Sequence, residues 1–202
     1  MLWKLKCVNK ETDHKFLNFY TYTYEVEKEG EKTDYPYFVA SRHDVDKVIA
    51  KSRNYARPDG VLMMVINDQE EPSVLLIRQF RPPMNATIVE FPAGLLEGTD
   101  EDELAAAKRE SVEEAGVEIM DAKVIAPSSP TSSGLSDELV SIVEARVGGL
   151  TATHLERFED IQARFVPLKD IPAMLEDPEL IIALNVRLCL MYALEKYLRR
   201  WR

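Results

Sequence analysis

The chain reads as an α/β (α+β) protein: a mixed sheet between helices in a sandwich, with a small antiparallel β-sheet at its N-terminus. Three observations predict this. Residues 3–40 alternate and are rich in aromatic and β-branched types, as in Phe19-Tyr20-Thr21-Tyr22-Thr23-Tyr24-Glu25-Val26. Two apolar runs, residues 60–67 and 74–80, flank a polar turn. Apolar residues at helical spacing appear in a segment ending at Gly116 and again in the tail. Strands, a helix, more strands and a closing helix describe layered packing.

Taken in order, residues 3–40 predict antiparallel strands with a turn near Glu29-Gly30-Glu31. A sheet of so few strands is marginal alone, so residues 1–55 are expected to pack on something, a second subunit being one candidate. Residues 56–202 form the second predicted domain. There, residues 60–67 read as a buried strand, residues 67–72 as a turn, and residues 74–80 as the hairpin partner. Residues 87–91 add a short strand. A helix is expected from Asp100, capped with Glu103 three residues on, to Gly116, a C-terminal cap. On a wheel, Leu104, Ala107, Ser111, Val112 and Ala115 cluster on one side, with Glu110, Glu113, Glu114 and Ala106 opposite. Residues 123–126 and 139–147 read as strands around a Ser-, Pro- and Gly-rich loop at 127–138. Residues 163–168 read as another strand, and residues 179–200 as the last helix, through Ile182, Val186, Cys189, Leu190, Ala193, Leu194, Tyr197 and Leu198.

Composition narrows the function. The chain has 202 residues, 46% hydrophobic and 30% charged, an ordinary globular balance. No apolar run reaches membrane-span length, and the N-terminal residues lack the apolar stretch of a signal peptide, so no membrane association is expected. Cys7 and Cys189 lie far apart and are read as free thiols in a reducing cytoplasm. A net charge of −10 weighs against nucleic-acid binding, which needs Lys and Arg arrayed on phosphates. His14, His43 and His154 lack ligand spacing and are read as surface or hydrogen-bonded residues. Neither a Gly-Lys-Ser/Thr phosphate loop nor a G-x-G-x-x-G fingerprint is present, which excludes the usual kinase, motor and dehydrogenase readings.

The chemistry concentrates in residues 94–117, GLLEGTDEDELAAAKRESVEEAGV. Glu110, Glu113 and Glu114 are three and four residues apart and share a helical face. Carboxylates so placed repel one another and add nothing to a core. They make sense among hard cations, since Mg²⁺ prefers carboxylate oxygen and usually arrives with a phosphate. A solvated acidic face is the plain alternative for any such run.

This segment resembles the signature of the Nudix hydrolases. Glu101 stands eight positions before Arg109, and Arg109, Glu110, Glu113, Glu114, Gly116 and Val117 fall in register. Gly94 lies one residue further from Glu101 than the pattern has, and Ser111 stands where an aliphatic residue is usual. The resemblance implies a Nudix-type α/β/α sandwich. It implies Glu110, Glu114 and the backbone oxygen of Ala93 as metal ligands, Glu113 close by, and Arg109 orienting the carboxylates. Gly94, Glu101, Arg109 and Gly116 would then be structural members of the motif.

One branch is matched more closely, the ADP-ribose and nucleoside-diphosphate-sugar pyrophosphatases. Glu90-Phe91-Pro92-Ala93-Gly94-Leu95 resembles its lead-in, and Arg78-Gln79-Phe80-Arg81 its Gln-aromatic-Arg segment. Ser128-Ser129-Pro130 and Gly134 to Glu138 resemble its Ser-Pro-Gly-x-x-x-Glu loop, with Thr131-Ser132-Ser133 as an insertion. Glu159-Asp160-Ile161 resembles its Glu-Asp-Ile segment. The resemblance implies substrate contacts from Arg81, Leu95, Ser129 and Glu138, and a further metal-cluster acid in Glu159. Arg157 stands where the branch often has an acid, so the general base is open among Glu113, Glu156 and Glu159. Mg²⁺, with Mn²⁺ as a substitute, would serve as cofactor. A homodimer is expected, with Tyr35 and Tyr37 as candidates for base recognition. The implied reaction is hydrolysis of ADP-ribose or a related nucleoside-diphosphate sugar to a nucleoside monophosphate and a sugar phosphate. Alternatives are another nucleotide-sugar, such as UDP-glucose or GDP-mannose, and a non-catalytic Nudix domain that senses such a ligand.

Overall fold

A computed structural model describes residues 1–68, 71–98, 101–155, 157 and 160–198. They fall into two compact units: residues 1–59 with 128–140, and residues 60–127 with 141–202.

In the first unit, β1 (Leu2–Lys10), β2 (Asn18–Lys28) and β3 (Glu31–Ser41) form an antiparallel sheet in chain order. The predicted alternation holds. Every second residue of β2 points one way, and the tyrosines supply the apolar face. Glu29 and Gly30 turn the β2–β3 hairpin with φ of 55° and 87°, the left-handed pair that a two-residue hairpin turn needs. Tyr20, Tyr22, Val8 and Val39 close on Val48 as a buried cluster. A single helical turn, α1 (Ile49–Ser52), follows.

A half-buried charge pair ties this unit together. His43 Nε2 lies 3.1 Å from Asp59 Oδ1. Asp59 Oδ2 accepts the Leu139 N–H at 2.8 Å, and the Tyr20 hydroxyl donates to the His43 carbonyl at 2.6 Å. Its hydrogen bond to Asp59 holds His43 above its ordinary 6.5. Burial pushes Asp59 upward, but the bonds from His43 and the Leu139 N–H outweigh it and leave Asp59 below 3.8.

The second unit holds most of the larger sheet. Its strands are β4 (Gly60–Asn67), β5 (Ser73–Arg81), β6 (Ala86–Glu90), β7 (Ala93–Leu95), β8 (Val117–Pro130), β9 (Leu139–Leu150) and β10 (Ile161–Pro167). The order is β10-β5-β4-β9-β8, with β6 on β5 and β7 on β4. With its helices this is the mixed-sheet α/β architecture predicted. α2 (Glu103–Ala115) packs Ala106 and Ala107 on Val61, Met63, Val65 and Leu75, residues of one strand face. α3 (Ile171–Glu176) and α4 (Leu184–Ala193) follow, and α4 continues as a π-helical turn, Leu194–Leu198. No described helix is long and apolar enough to cross a membrane.

Several boundaries differ from expectation. α2 begins at Glu103, because it is Asp102 that accepts the Ala105 N–H, at 2.8 Å. Asp100 lies outside the described residues, as do Arg199, Arg200, Trp201 and Arg202. β8 runs on to Pro130, shortening the expected loop at 127–138. The last helix starts at Leu184 rather than 179. Residues 181–183 instead bond to β6, through Val89 N–H to Ile181 O at 2.8 Å and Ala183 N–H to Val89 O at 3.2 Å.

The second unit has its own buried ion pair. Glu144 on β9 is 4% exposed, and Lys196 Nζ reaches its two oxygens at 2.7 and 2.6 Å, with Lys123 Nζ at 3.2 Å. Burial raises the Glu144 pKa, but these bonds outweigh it and hold the carboxyl below its ordinary range.

Two outcomes follow. The His43 contribution is complete below about pH 6.5 and is lost as pH rises through the elevated His43 value. The Asp59 contribution is complete above about 3.8 and is lost as pH falls through the depressed Asp59 value. Urea unfolding of the full chain should therefore show stability falling from pH 6 to about 8.5, and His43→Gln should flatten that fall; an equal slope in the variant removes the assignment. Glu144→Ala leaves Lys196 without its buried counter-charge and should destabilise by about 3 kcal/mol, read from the same unfolding curves.

Candidate active site

α2 presents Glu110 and Glu114 to β7 and not to bulk water. Ala106 and Glu114, placed opposite the packing face by the wheel, are both buried. The reason is that α2 is covered over a wide arc: one flank meets β4, and the adjoining flank meets the backbone of residues 93–95. Glu114 Oε2 accepts the Ala93 N–H at 2.9 Å. A Cβ added to Gly94 would overlap the Glu110 carboxyl group, so the bare glycine backbone is what lets Glu110 lie against the strand. Glu113 is the most open of the three, its side chain 42% exposed.

Arg109 organises the group. Its Nε lies 3.0 Å from Glu101 Oε1, and one Nη reaches Glu101 Oε2 at 3.2 Å and the Leu95 carbonyl at 2.9 Å. The other Nη donates to Glu110 at 2.7 Å and Glu113 at 3.0 Å. The guanidinium is pulled above its ordinary pKa, by the Glu101 hydrogen bond first and by Glu110 next. Glu101 in turn accepts the Glu97 N–H, so it secures the loop that carries the extra residue after Gly94.

The helix end is fixed in the same economical way. Gly116 takes φ 63°, and its N–H closes on Val112 O at 2.9 Å. Ser111, the departure from an aliphatic residue, is fully buried and donates to the Val117 carbonyl at 2.7 Å. The hydroxyl thus supplies a tie between helix and strand where a larger apolar side chain would supply packing. Beyond Gly116, Thr151 N–H donates to Gly116 O and His154 N–H to Glu113 O, both at 2.8 Å. The chain leading to residue 156 is therefore docked on the end of α2. Glu156 and Glu159 themselves lie outside the described residues.

Arg81 joins the same sheet face. Leu75 packs on α2, and residues 75, 77, 79 and 81 of β5 share that face. Glu90 stands opposite Ile77, and Arg81 Nε meets its Oε2 at 2.7 Å. Between them, the Gln79 side-chain oxygen is buried with no hydrogen-bond partner among the described residues, and sequence reasoning gave it no role. Leu95 is 47% exposed at the end of β7. Ser129 and Glu138 belong to the first unit, Ser129 exposed near the end of β8 and Glu138 just before β9. Glu138 meets Arg42 Nε at 3.5 Å and the Thr131 hydroxyl at 3.0 Å, two partners that sequence reasoning missed.

The chain was compared with known proteins on this footing. The NUDIX domain model matches residues 56–184. An ADP-ribose pyrophosphatase of Bacillus subtilis (strain 168) is 33% identical over 124 residues, 60% of this chain and 65% of that protein. An ADP-sugar pyrophosphatase of Mus musculus is 40% identical over 76 residues, 38% of this chain and 34% of that protein. The chain thus spans less than two thirds of the length of these curated relatives. The crystal structure of an ADP compounds hydrolase superposes with a TM-score of 0.70, covering 100% of this chain and 96% of that one at 16% identity, which establishes a shared fold. With a family model covering well over half its length, and the motif residues gathered on one helix and one turn, the chain belongs to the Nudix family.

Proposed function

We propose that this protein hydrolyses the diphosphate linkage of ADP-ribose or a related nucleoside-diphosphate sugar, giving a nucleoside monophosphate and a sugar phosphate. The observation that carries the reading is the carboxylate array around Arg109, seated on the bare backbone of Gly94 within a Nudix domain. The relatives' names, ADP-ribose pyrophosphatase and ADP-sugar pyrophosphatase, support the substrate class.

The donor set suits a hard divalent cation. Among the described residues no three His, Cys, Asp or Glu side chains converge as a closed cage. A closed cage is not what Mg²⁺ asks for. It binds through one or two carboxylates, keeps water, and takes its remaining oxygens from phosphate. Glu110, Glu114 and the Ala93 carbonyl would hold the ion, Glu159 would add a further acid, and Mn²⁺ would substitute. When bound, such ions neutralise the diphosphate oxygens and lower the pKa of a coordinated water.

The chain's own residues do the rest. Arg109 fixes where Glu110 and Glu113 point before any ligand arrives, so that no reorganisation is needed at the moment of reaction. Arg81 brings positive charge to a chain of net charge −10, where a diphosphate would otherwise be repelled. Glu138, Ser129 and Leu95 complete the substrate contacts. One of Glu113, Glu156 and Glu159 removes the proton from the attacking water, a contribution typically of about 10²–10⁴-fold. In the first unit Trp3, Tyr35 and Phe38 expose apolar surface, 52%, 47% and 67% respectively, and we assign residues 1–55 to a homodimer contact.

Two measurements test the site. Gly94→Ala displaces the Glu110 carboxylate, so Mn²⁺ binding followed by electron paramagnetic resonance should weaken at least tenfold while circular dichroism stays native. Unchanged Mn²⁺ affinity would remove the Glu110–Gly94 pair from the metal assignment. Glu114→Gln keeps an acceptor for the Ala93 N–H but loses the charge. Monophosphate release from ADP-ribose, UDP-glucose and GDP-mannose with Mg²⁺ should fall by about 10²-fold or more. Wild-type-like turnover in this variant sinks the metal role of Glu114. A wild-type protein that binds these sugars without cleaving them is a sensor, not a hydrolase.

A further inference from the structure

Glu138 stands in a stretch of backbone fixed on both sides. Before it, Asp137 Oδ2 accepts the Ile49 N–H at 3.0 Å. After it, Leu139 N–H donates to Asp59 Oδ2 at 2.8 Å and Leu139 O accepts the Asp59 N–H at 2.7 Å. Its own carbonyl accepts the Thr131 N–H at 3.2 Å. Its side chain is held as well: Oε2 accepts the Thr131 hydroxyl at 3.0 Å, and Arg42 Nε lies 3.5 Å from Oε1. Yet the side chain remains 33% exposed.

Thr131 opens the three-residue insertion that separates Pro130 from Gly134. The two residues that follow the insertion are anchored to β3. The Tyr37 hydroxyl donates to Gly134 O at 2.9 Å, and Ala40 N–H donates to Leu135 O at 2.9 Å. Within the turn, Leu135 and Ser136 N–H groups close on Ser132 O at 2.8 and 2.9 Å. The extra residues therefore form an ordered strut, and its first member carries the hydroxyl that grips Glu138.

We propose that Thr131 and Arg42 are positioning residues that fix the Glu138 carboxylate as an acceptor for hydroxyl groups of the substrate's sugar. The chemistry follows from the count of lone pairs. A carboxylate offers about four acceptor sites, and two here are taken by Thr131 and Arg42. The remaining acceptors need donors. A diphosphate has none, whereas a ribose presents two neighbouring hydroxyls. Arg42 also offsets the carboxylate charge, so the group accepts from the sugar with less repulsion of an anionic substrate. Fixing the carboxylate beforehand lowers the ordering cost of binding, which raises affinity and leaves the chemical step alone.

This inference rests on Glu138 contacting the substrate, and the test separates the two. Calorimetry on the full chain in EDTA measures ADP-ribose binding without turnover. Thr131→Val should weaken it about tenfold, Thr131→Ser should restore it, and Arg42→Gln should weaken it less. Glu138→Gln should weaken it too, and Thr131→Val added to that variant should change nothing further. Inorganic pyrophosphate, which has no sugar hydroxyl, should bind all variants alike. With Mg²⁺, Thr131→Val should raise KM about tenfold at unchanged kcat. Wild-type binding by Thr131→Val beside a weakened Glu138→Gln overturns the positioning role and leaves the proposed function intact, as do independent, multiplying effects of the two changes. Wild-type binding by Glu138→Gln removes its substrate contact and the inference together. A wild-type chain that neither binds nor cleaves any nucleoside-diphosphate sugar overturns the proposed function itself.

Discussion

Glu101, Glu110 and Glu113 converge on a small volume beside one helix turn, and like charges so close would splay the loop and the helix apart. Arg109 prevents this. Its planar fork spends its donors on Glu101, Glu110, Glu113 and the Leu95 carbonyl, so one guanidinium sets the loop, the strand end and the acid-bearing face at once. A lysine would supply the charge but only three donors from one point, and could not span the three carboxylates and a carbonyl. The pairing also explains how these acids can lie so close together: the Arg109 guanidinium supplies a counter-charge shared by all three.

How much of this was legible depends on the range of the interaction. Local signals were read well. The runs that became β4 and β5, the Glu29-Gly30 turn and the Gly116 cap each depend on a few neighbouring residues, and each stands where expected. The motif spacing placed Arg109, Glu110 and Glu114 because a helix converts spacing directly into a shared face. Boundaries decided by distant partners were not legible. Residues 181–183 have helical spacing but pair with Val89 on β6, and nothing in the segment itself announces that partner. Asp102 rather than Asp100 caps α2, a choice between two acids in one acidic run that only the position of the Ala105 N–H decides.

The burial of Glu114 and Ala106 shows the same limit. A helical wheel assumes one apolar side and one wet side. α2 has a third environment, the polar backbone of residues 93–95, where a carboxylate is buried with a hydrogen bond at hand. Burying a charge is tolerable when a donor meets it, and the Ala93 N–H does. Hydrophobicity therefore mispredicts this helix at Glu114, where a backbone donor takes the place of apolar packing. Ser111 is the converse case: a polar residue in a core position, satisfied by the Val117 carbonyl.

The two units solve a common problem with different chemistry. Each needs a long-range tie that a small apolar core supplies weakly, and each uses a shielded ion pair. In the second unit Lys196 and Lys123 both face Glu144, whose carboxyl these bonds hold below its ordinary range, so the tie persists at neutral pH. In the first unit the cation is His43, which titrates close to neutrality. Asp59 joins that pair to the Leu139 backbone, one residue beyond Glu138. The consequence is directional. As pH rises and His43 loses its proton, the charge that favours Asp59 in its present position is removed. The pH dependence of this tie therefore reaches the backbone beside Glu138 through Asp59 and the Leu139 N–H that it holds.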